Sequence, residues 1–352
     1  MRLYGKDWTR RELEARVGRM SQLGGVRRMT LTEGKEAGVE LIRVSTGAGL
    51  ALDIVPSKGL DLSRAELWGA PLSWQSAAGD AHPAYYESSG TGWLRTASGG
   101  LLMTCGLTHA GSPSDTPGGP QGLHGRAHHT PAAQVAVREA WAGDELEWSV
   151  EGLIEENALF GANLRLRRRI FGRMGVNAIG IEDRVENLGF APSPHMMLYH
   201  FNFGFPLLDE RTRIAFPPAV TCERSGTGDA ADCERWERPD PFARERVFYH
   251  ELSERDGMAE AVLHQPVFPA GPGTADVKVR LRWSADTLPR LVQWRMPGAG
   301  AHALGLEPAN CQVEGYEAEA GGGGPVMLAP GAVVVHRLEL KIEAGQAMIE
   351  EA

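Results

Sequence analysis

Apolar and polar residues alternate with a period of two over most of the chain beyond Gly38, the pattern of strands with one buried face. VELIRVSTG (39–47) and GLALDIVP (49–56) alternate on either side of a glycine turn and predict a hairpin. The pattern returns in AAQVAVREAWAG, DELEWSVEGLIEE, ANLRLRRRIFG and NAIGIEDRVENLG, between 132 and 189. A second hairpin is expected around GRMG (172–175). Further strands are expected at VKVRLRWS, LPRLVQWRM and AVVVHRLELKIEA, between 277 and 344.

Helical periodicity is confined to the start. TRRELEARVGRMSQ (9–22) predicts one helix, with Thr9 and Glu12 spaced as a capping box. Residues 1–30 are read as a helical arm. Residues 31–352 are read as a single all-β domain, because no linker and no repeat divides them. A large antiparallel β-sandwich fits many short strands joined by turns.

Two stretches interrupt the strands. Residues 76–131 are rich in glycine and proline, and a loop of that length is functional or disordered. Its interspersed Leu, Met and His residues argue for order. Residues 222–246 are polar and acidic and read as a surface excursion.

Composition narrows the function. Of 352 residues, 42% are hydrophobic, so the chain can bury a large core. The formal charge is −9, which disfavours nucleic acid as a partner. No apolar run reaches membrane-spanning length, and the first twenty residues lack the apolar core of a secretion signal. The four cysteines form no CxxC pair, and reduced thiols in a cytoplasmic protein are expected.

Candidate chemistry falls in four clusters. WLRTASGGLLMTCGLTHAG holds Arg95 and His109, and GLHGRAHHTP holds His124, Arg126, His128 and His129. SPHMMLYHFNFGFPLLD holds His195, His200 and Asn202, and WRMPGAGAHALGLEPAN holds Trp294, Arg295, His302, Glu307 and Asn310. His124 lies among glycines, where backbone can approach a ligand. In an extended segment Arg126 would share its side, and a His–Arg pair suits an oxygen-rich ligand. Alternation puts Met196, Leu198, His200 and Asn202 on one face, with Met197, Tyr199, Phe201 and Phe203 on the other. On that pattern His200 is either a packed core histidine or half of an acid–base pair. Glu307 ends an apolar run; if buried, its pKa would rise and it would serve as a general base. Adjacent histidines such as His128 and His129 point apart in a strand and make poor joint metal ligands.

In this order the clusters resemble the galactose mutarotase-like superfamily, the aldose 1-epimerases. RRRIFGRMGVNAIGIEDRVENLGFAPSPHMMLYHFNFG is similar to the family's paired strands leading to the histidine that protonates the sugar ring oxygen. GLHGR resembles its earlier His-Gly segment, GLEPAN the segment with the catalytic glutamate, and LAPGAVVVHRLELKI the closing strands. The GWLRT, GGLL, TCGL, LHGR and YHFNFGFPLL motifs resemble one branch of aldose 1-epimerase-like proteins.

The resemblance implies a large antiparallel β-supersandwich with a sugar cleft across one sheet. It implies anomer interconversion, with Glu307 as base and His200 as acid. His124, Arg126, Arg95, Asn202 and Trp294 would bind substrate, and no metal or other cofactor would be needed. The partner would be a small sugar, and Arg95 and Arg126 point toward a charged or oxidised one. A monomer or homodimer is expected. The family's sugar-holding aspartate has no clear match; Asp209 and the segment around His250 are candidates. Two alternatives share the scaffold: an epimerase, isomerase or lyase acting on a keto-sugar, and a carbohydrate-binding protein without catalysis.

Overall fold

The computed structural model describes residues 1–226, 230–254 and 256–345. Two antiparallel sheets dominate it. The larger has eleven strands, ten of them in one continuous order. That order runs Ala219–Glu223, Arg246–Leu252, Arg290–Met296, Ala303–Ala309, Leu198–Phe203, Leu102–Cys105, Asp61–Leu67, Leu50–Val55, Glu40–Ser45 and Gly25–Thr30. The second sheet has eight strands, and its long hairpins run from Ala133 to Asn187. The predicted hairpins at 39–56 and 172–175 both form.

Alternation sets which side of each strand meets the partner sheet. Tyr199, Phe201, Phe203, Leu304 and Leu306 join Trp148, Ile170, Ile181 and Trp283 in the main core. The opposite face of the large sheet carries a smaller cluster, including Met103, Cys105, Met196, Leu198 and Val292, roofed by Trp93 and Ala97. The candidate residues His200 and Glu307 lie on this second face.

A buried polar cluster crosses the main core. Arg168, fully buried, donates to Asp183 at 2.7 Å and to Asp61 at 2.7 Å. Asp183 also accepts from Tyr199 Oη at 2.8 Å, and Asp61 from Thr104 Oγ1 at 2.6 Å. His128 Nδ1 stands 2.6 Å from Asp61. These bonds satisfy charges that would otherwise be costly to bury. They also tie both sheets to the turn Ala127–His129, three residues beyond His124.

Three expectations change in detail. The helix spans only Arg10–Glu14, although the Thr9–Glu12 capping box is present. Only Leu13 of that helix is buried, and Gly18 disfavours its continuation, so little sustains a longer one. Residues 25–30, read as part of the arm, form an edge strand of the large sheet. The stretch 76–131 is no single loop, since its Leu102–Cys105 is an inner strand of that sheet. No described helix is long and apolar enough to cross a membrane.

Candidate active site

The pairs Leu198–Ala309 and Asn202–Gly305 bracket His200 against Glu307 on neighbouring strands. Both side chains emerge on the face away from the main core. His200 Nε2 and Glu307 Oε1 are 3.1 Å apart. Their alignment falls short of a hydrogen bond, and Glu307 Oε1 is buried without a partner. Both groups therefore remain available to a ligand that approaches them from the same side. Burial pushes the Glu307 carboxyl well above the ordinary range, and the nearby Glu245 adds to the rise. Burial pushes the His200 imidazole down to about 4. Gly305 makes the pair possible: a Cβ there would stand 2.4 Å from Glu307 Oε1 and 3.1 Å from His200 Cε1.

His124 enters from the glycine-rich stretch. Its backbone is left-handed (φ 56°), a costly conformation for a residue with a Cβ. Backbone bonds hold it there: its N–H donates to Gly111 O at 2.7 Å, and its carbonyl accepts from Gly106 N at 3.2 Å. Gly111 N–H also donates to His124 Nδ1 at 3.4 Å, which leaves the proton on Nε2. Burial lowers its pKa to about 3, so it meets a ligand as a neutral donor.

These groups open into a cleft of about 520 Å³. Aromatic rings form an arc around it. Trp93 lies 5.0 Å from His124, His124 6.0 Å from His200, His200 5.6 Å from Trp294, and Trp294 6.1 Å from Trp74, between ring centroids. Trp294 Nε1 donates to Glu245 at 3.0 Å, and Glu245 accepts from Arg224 at 2.8 Å. A larger depression of about 730 Å³ lies on the outer face of the second sheet, among Arg–Glu ion pairs. No histidine lines it among the described residues, whereas His124, His200 and Glu307 all line the smaller cleft.

Four of the seven singled-out residues thus converge: Glu307, His200, His124 and Trp294 line one cleft. Asn202 is fully buried beside His200 and donates to its carbonyl at 2.8 Å, so it supports the strand and does not line the cleft. Arg126 and Arg95 do not reach it. The turn at His124–Gly125 breaks the extended geometry that would have aligned Arg126, which is exposed. Arg95 is exposed and pairs with Glu87 at 3.3 Å.

Neither candidate for the missing aspartate lines the cleft. Asp209 binds Arg211, and His250 stacks on Phe216 and meets Thr221. Asn310 bridges the backbones of Met197 and His195, and His302 accepts from Trp236. The acidic excursion is corrected in part, because its two ends bring Arg224 and Glu245 to the cleft. Sequence reasoning also missed Trp74 and Trp93; their tryptophan identity was the one available signal.

Among solved structures, the chain superposes on a candidate aldose 1-epimerase from Klebsiella pneumoniae with a TM-score of 0.81. Identity is 24%, over 90% of this chain and 83% of that one. A galactose 1-epimerase from Lactobacillus acidophilus gives 0.57 at 12% identity, over 92% and 100%. A galactose mutarotase-like protein from Clostridium acetobutylicum gives 0.58 at 12%, over 92% and 99%. The fold is therefore galactose mutarotase-like, as the motifs implied. No curated protein matches the sequence. The family described as a domain of unknown function, DUF4432, matches residues 36–342, and the chain belongs to that family.

Proposed function

We propose that the protein interconverts the anomers of an aldose, with Glu307 and His200 as its acid–base pair. The observation that carries this reading is their placement, 3.1 Å apart and unbonded, at the floor of the cleft. Burial disfavours the charged form of both groups, so a proton shared by the pair rests on Glu307 rather than on His200. Passing that proton to His200 creates a carboxylate base and an imidazolium acid. Glu307 then takes the proton of the anomeric hydroxyl while His200 protonates the ring oxygen, and the ring opens. The C1–C2 bond turns, the ring closes on the other carbonyl face, and both protons return. Each member of such a pair contributes about 10²- to 10⁴-fold. His124 Nε2–H orients a sugar oxygen, and Trp294 offers a stacking face.

A second reading rests on Glu307 itself. A carboxylate with so high a proton affinity suits abstraction of a carbon-bound proton beside a carbonyl, as in an epimerase, isomerase or lyase acting on a keto-sugar. Among the described residues no three His, Cys, Asp or Glu side chains converge as a metal-ligand set. Anomer exchange followed by NMR over a panel of aldoses tests the first reading, with wild type against Glu307→Gln. Enhancement by wild type alone supports it. Deuterium incorporation at carbon without anomer exchange supports the second. Sugar affinity that survives Glu307→Gln, with turnover in neither form, leaves a binding protein.

A further inference from the structure

Glu156 bridges the second sheet to the segment that holds His124. It lies in the strand Glu145–Asn157, paired with Leu164. Its carboxylate accepts from Leu107 N–H at 2.7 Å, from Thr108 N–H at 3.2 Å and from the Thr108 hydroxyl. Leu107 and Thr108 are buried, so water is a poor substitute for these acceptors.

Residues 106–108 form a junction. Gly106 N–H donates to His124 O at 3.2 Å, and Gly106 O accepts from Arg126 N–H and Ala127 N–H, each at 3.1 Å. Leu107 O accepts from Met196 N–H at 2.9 Å, just ahead of the strand that carries His200. Gly106 and Gly125 pair as an isolated bridge, and a Cβ on Gly125 would stand 2.6 Å from Gly106 O. Contact this close leaves little slack, so a displacement of residues 106–108 passes to His124 and Gly125. The left-handed backbone of His124 persists only where its surroundings enforce it. We infer that Glu156 is a positioning residue for His124: it fixes the 106–108 turn and thereby keeps the imidazole on the cleft wall. Glu156 does not itself line the cleft, so it acts through the turn. Its effect on the reaction rests on the substrate contact proposed above for His124.

A double-mutant cycle in anomer exchange tests it, with Glu156→Ala, His124→Ala and the two combined. Glu156→Ala is expected to lower kcat/KM by about 10- to 100-fold, the scale of a reacting group misplaced by about 1 Å. The combined variant should match His124→Ala within about twofold, because Glu156 has nothing left to position. A merely structural role would make the two losses multiply. Should Glu156→Ala not fold, Thr108→Val removes one of the three donors and takes its place in the cycle, under the same readings. Histidine ring signals are read by NMR on the same proteins without sugar. The His124 signal is identified by its loss in His124→Ala. It is expected to move in the Glu156 variant, while His250, held by Thr221 and Phe216, stays in place.

Where wild type exchanges a sugar, the cycle decides. Losses that multiply, or no loss in Glu156→Ala, overturn the role of Glu156 and leave the anomer chemistry standing. Where wild type exchanges no sugar, the anomer chemistry is overturned and the ring signals decide. A shift confined to His124 then supports the positioning role. An unmoved His124 signal, or a shift of His250 as well, overturns it.

Discussion

Gly305 lies under the contact between Glu307 and His200, and a Cβ there would intrude on both. The two nearest atoms are side-chain ends and the third is Trp294 Cβ on the paired strand, at 3.1 Å, so the methyl displaces the acid–base pair and also crowds the sheet. Gly305→Ala is expected to fold with a loss of about 1–3 kcal/mol. Misplacing reacting groups by about 1 Å costs on the order of 10²-fold. A drop of that size in anomer exchange of the folded variant is the expected result; full activity would show that the pair needs no such room.

Glu307→Gln should separate activity from stability. Exchange is expected to fall by about 10²- to 10⁴-fold. The sign of the stability change follows from the raised folded-state pKa. Such a carboxyl contributes stability below the unfolded value and loses it as pH rises through the folded value. The amide has no charge to bury, so the variant should gain on wild type as pH rises. Urea midpoints from pH 5 to 9 would show this as a widening gap, and parallel curves would refute it.

Acid should destabilise the protein early. Burial lowers the pKa of His124, His195 and His336 to about 3, of His200 and His250 to about 4, and of His129 to about 2. Below about pH 6.5 the unfolded chain takes up these protons and the folded chain does not. Stability is therefore fully present above pH 6.5 and declines toward pH 4, by on the order of 1 kcal/mol per histidine per pH unit at the outset. Melting temperatures from pH 7.5 to 4.5 measure it. A flat profile between 6.5 and 5 would contradict the burial of these imidazoles.

Arg95→Ala and Arg126→Ala should leave exchange within about twofold of wild type, since neither side chain lines the cleft. Glu245→Gln should act through its neighbours. It removes a charge that raises Glu307 and weakens the anchor of Trp294. The pH–rate profile should shift toward acid, a change that mere loss of packing would not produce.

Arg168→Met should unfold most readily. It leaves Asp61 and Asp183 buried without their shared cation, a change that costs about 3–5 kcal/mol. Equilibrium urea unfolding compares it with wild type; a loss under about 1 kcal/mol would mean that neighbouring donors suffice.

Much of this was legible from the chain. Period-two alternation put Met197, Tyr199, Phe201 and Phe203 on one face and His200 on the other, because alternation is local geometry; the structure makes the first face part of the main core. It could not say whether His200 was packed or poised, which depends on a strand over a hundred residues away. Arg126 was misplaced because two left-handed residues, His124 and Gly125, turned an assumed extended segment aside. Arg224 and Glu245 were hidden because their polar surroundings look like any solvated loop. The two ends reach the cleft only once Ala219–Glu223 pairs with Arg246–Leu252.

Two of the cleft's sources are separable. Sheet strands supply His200, Glu307 and Trp294, while the stretch between residues 76 and 131 supplies Trp93, Leu94 and His124. The strands cannot change without breaking the sandwich. Much of the covering stretch contributes turns and short helical segments instead, so its contacts can be rewritten at lower structural cost. The scaffold can thus keep one reaction while its clientele drifts, and selectivity becomes the property freest to diverge between lineages.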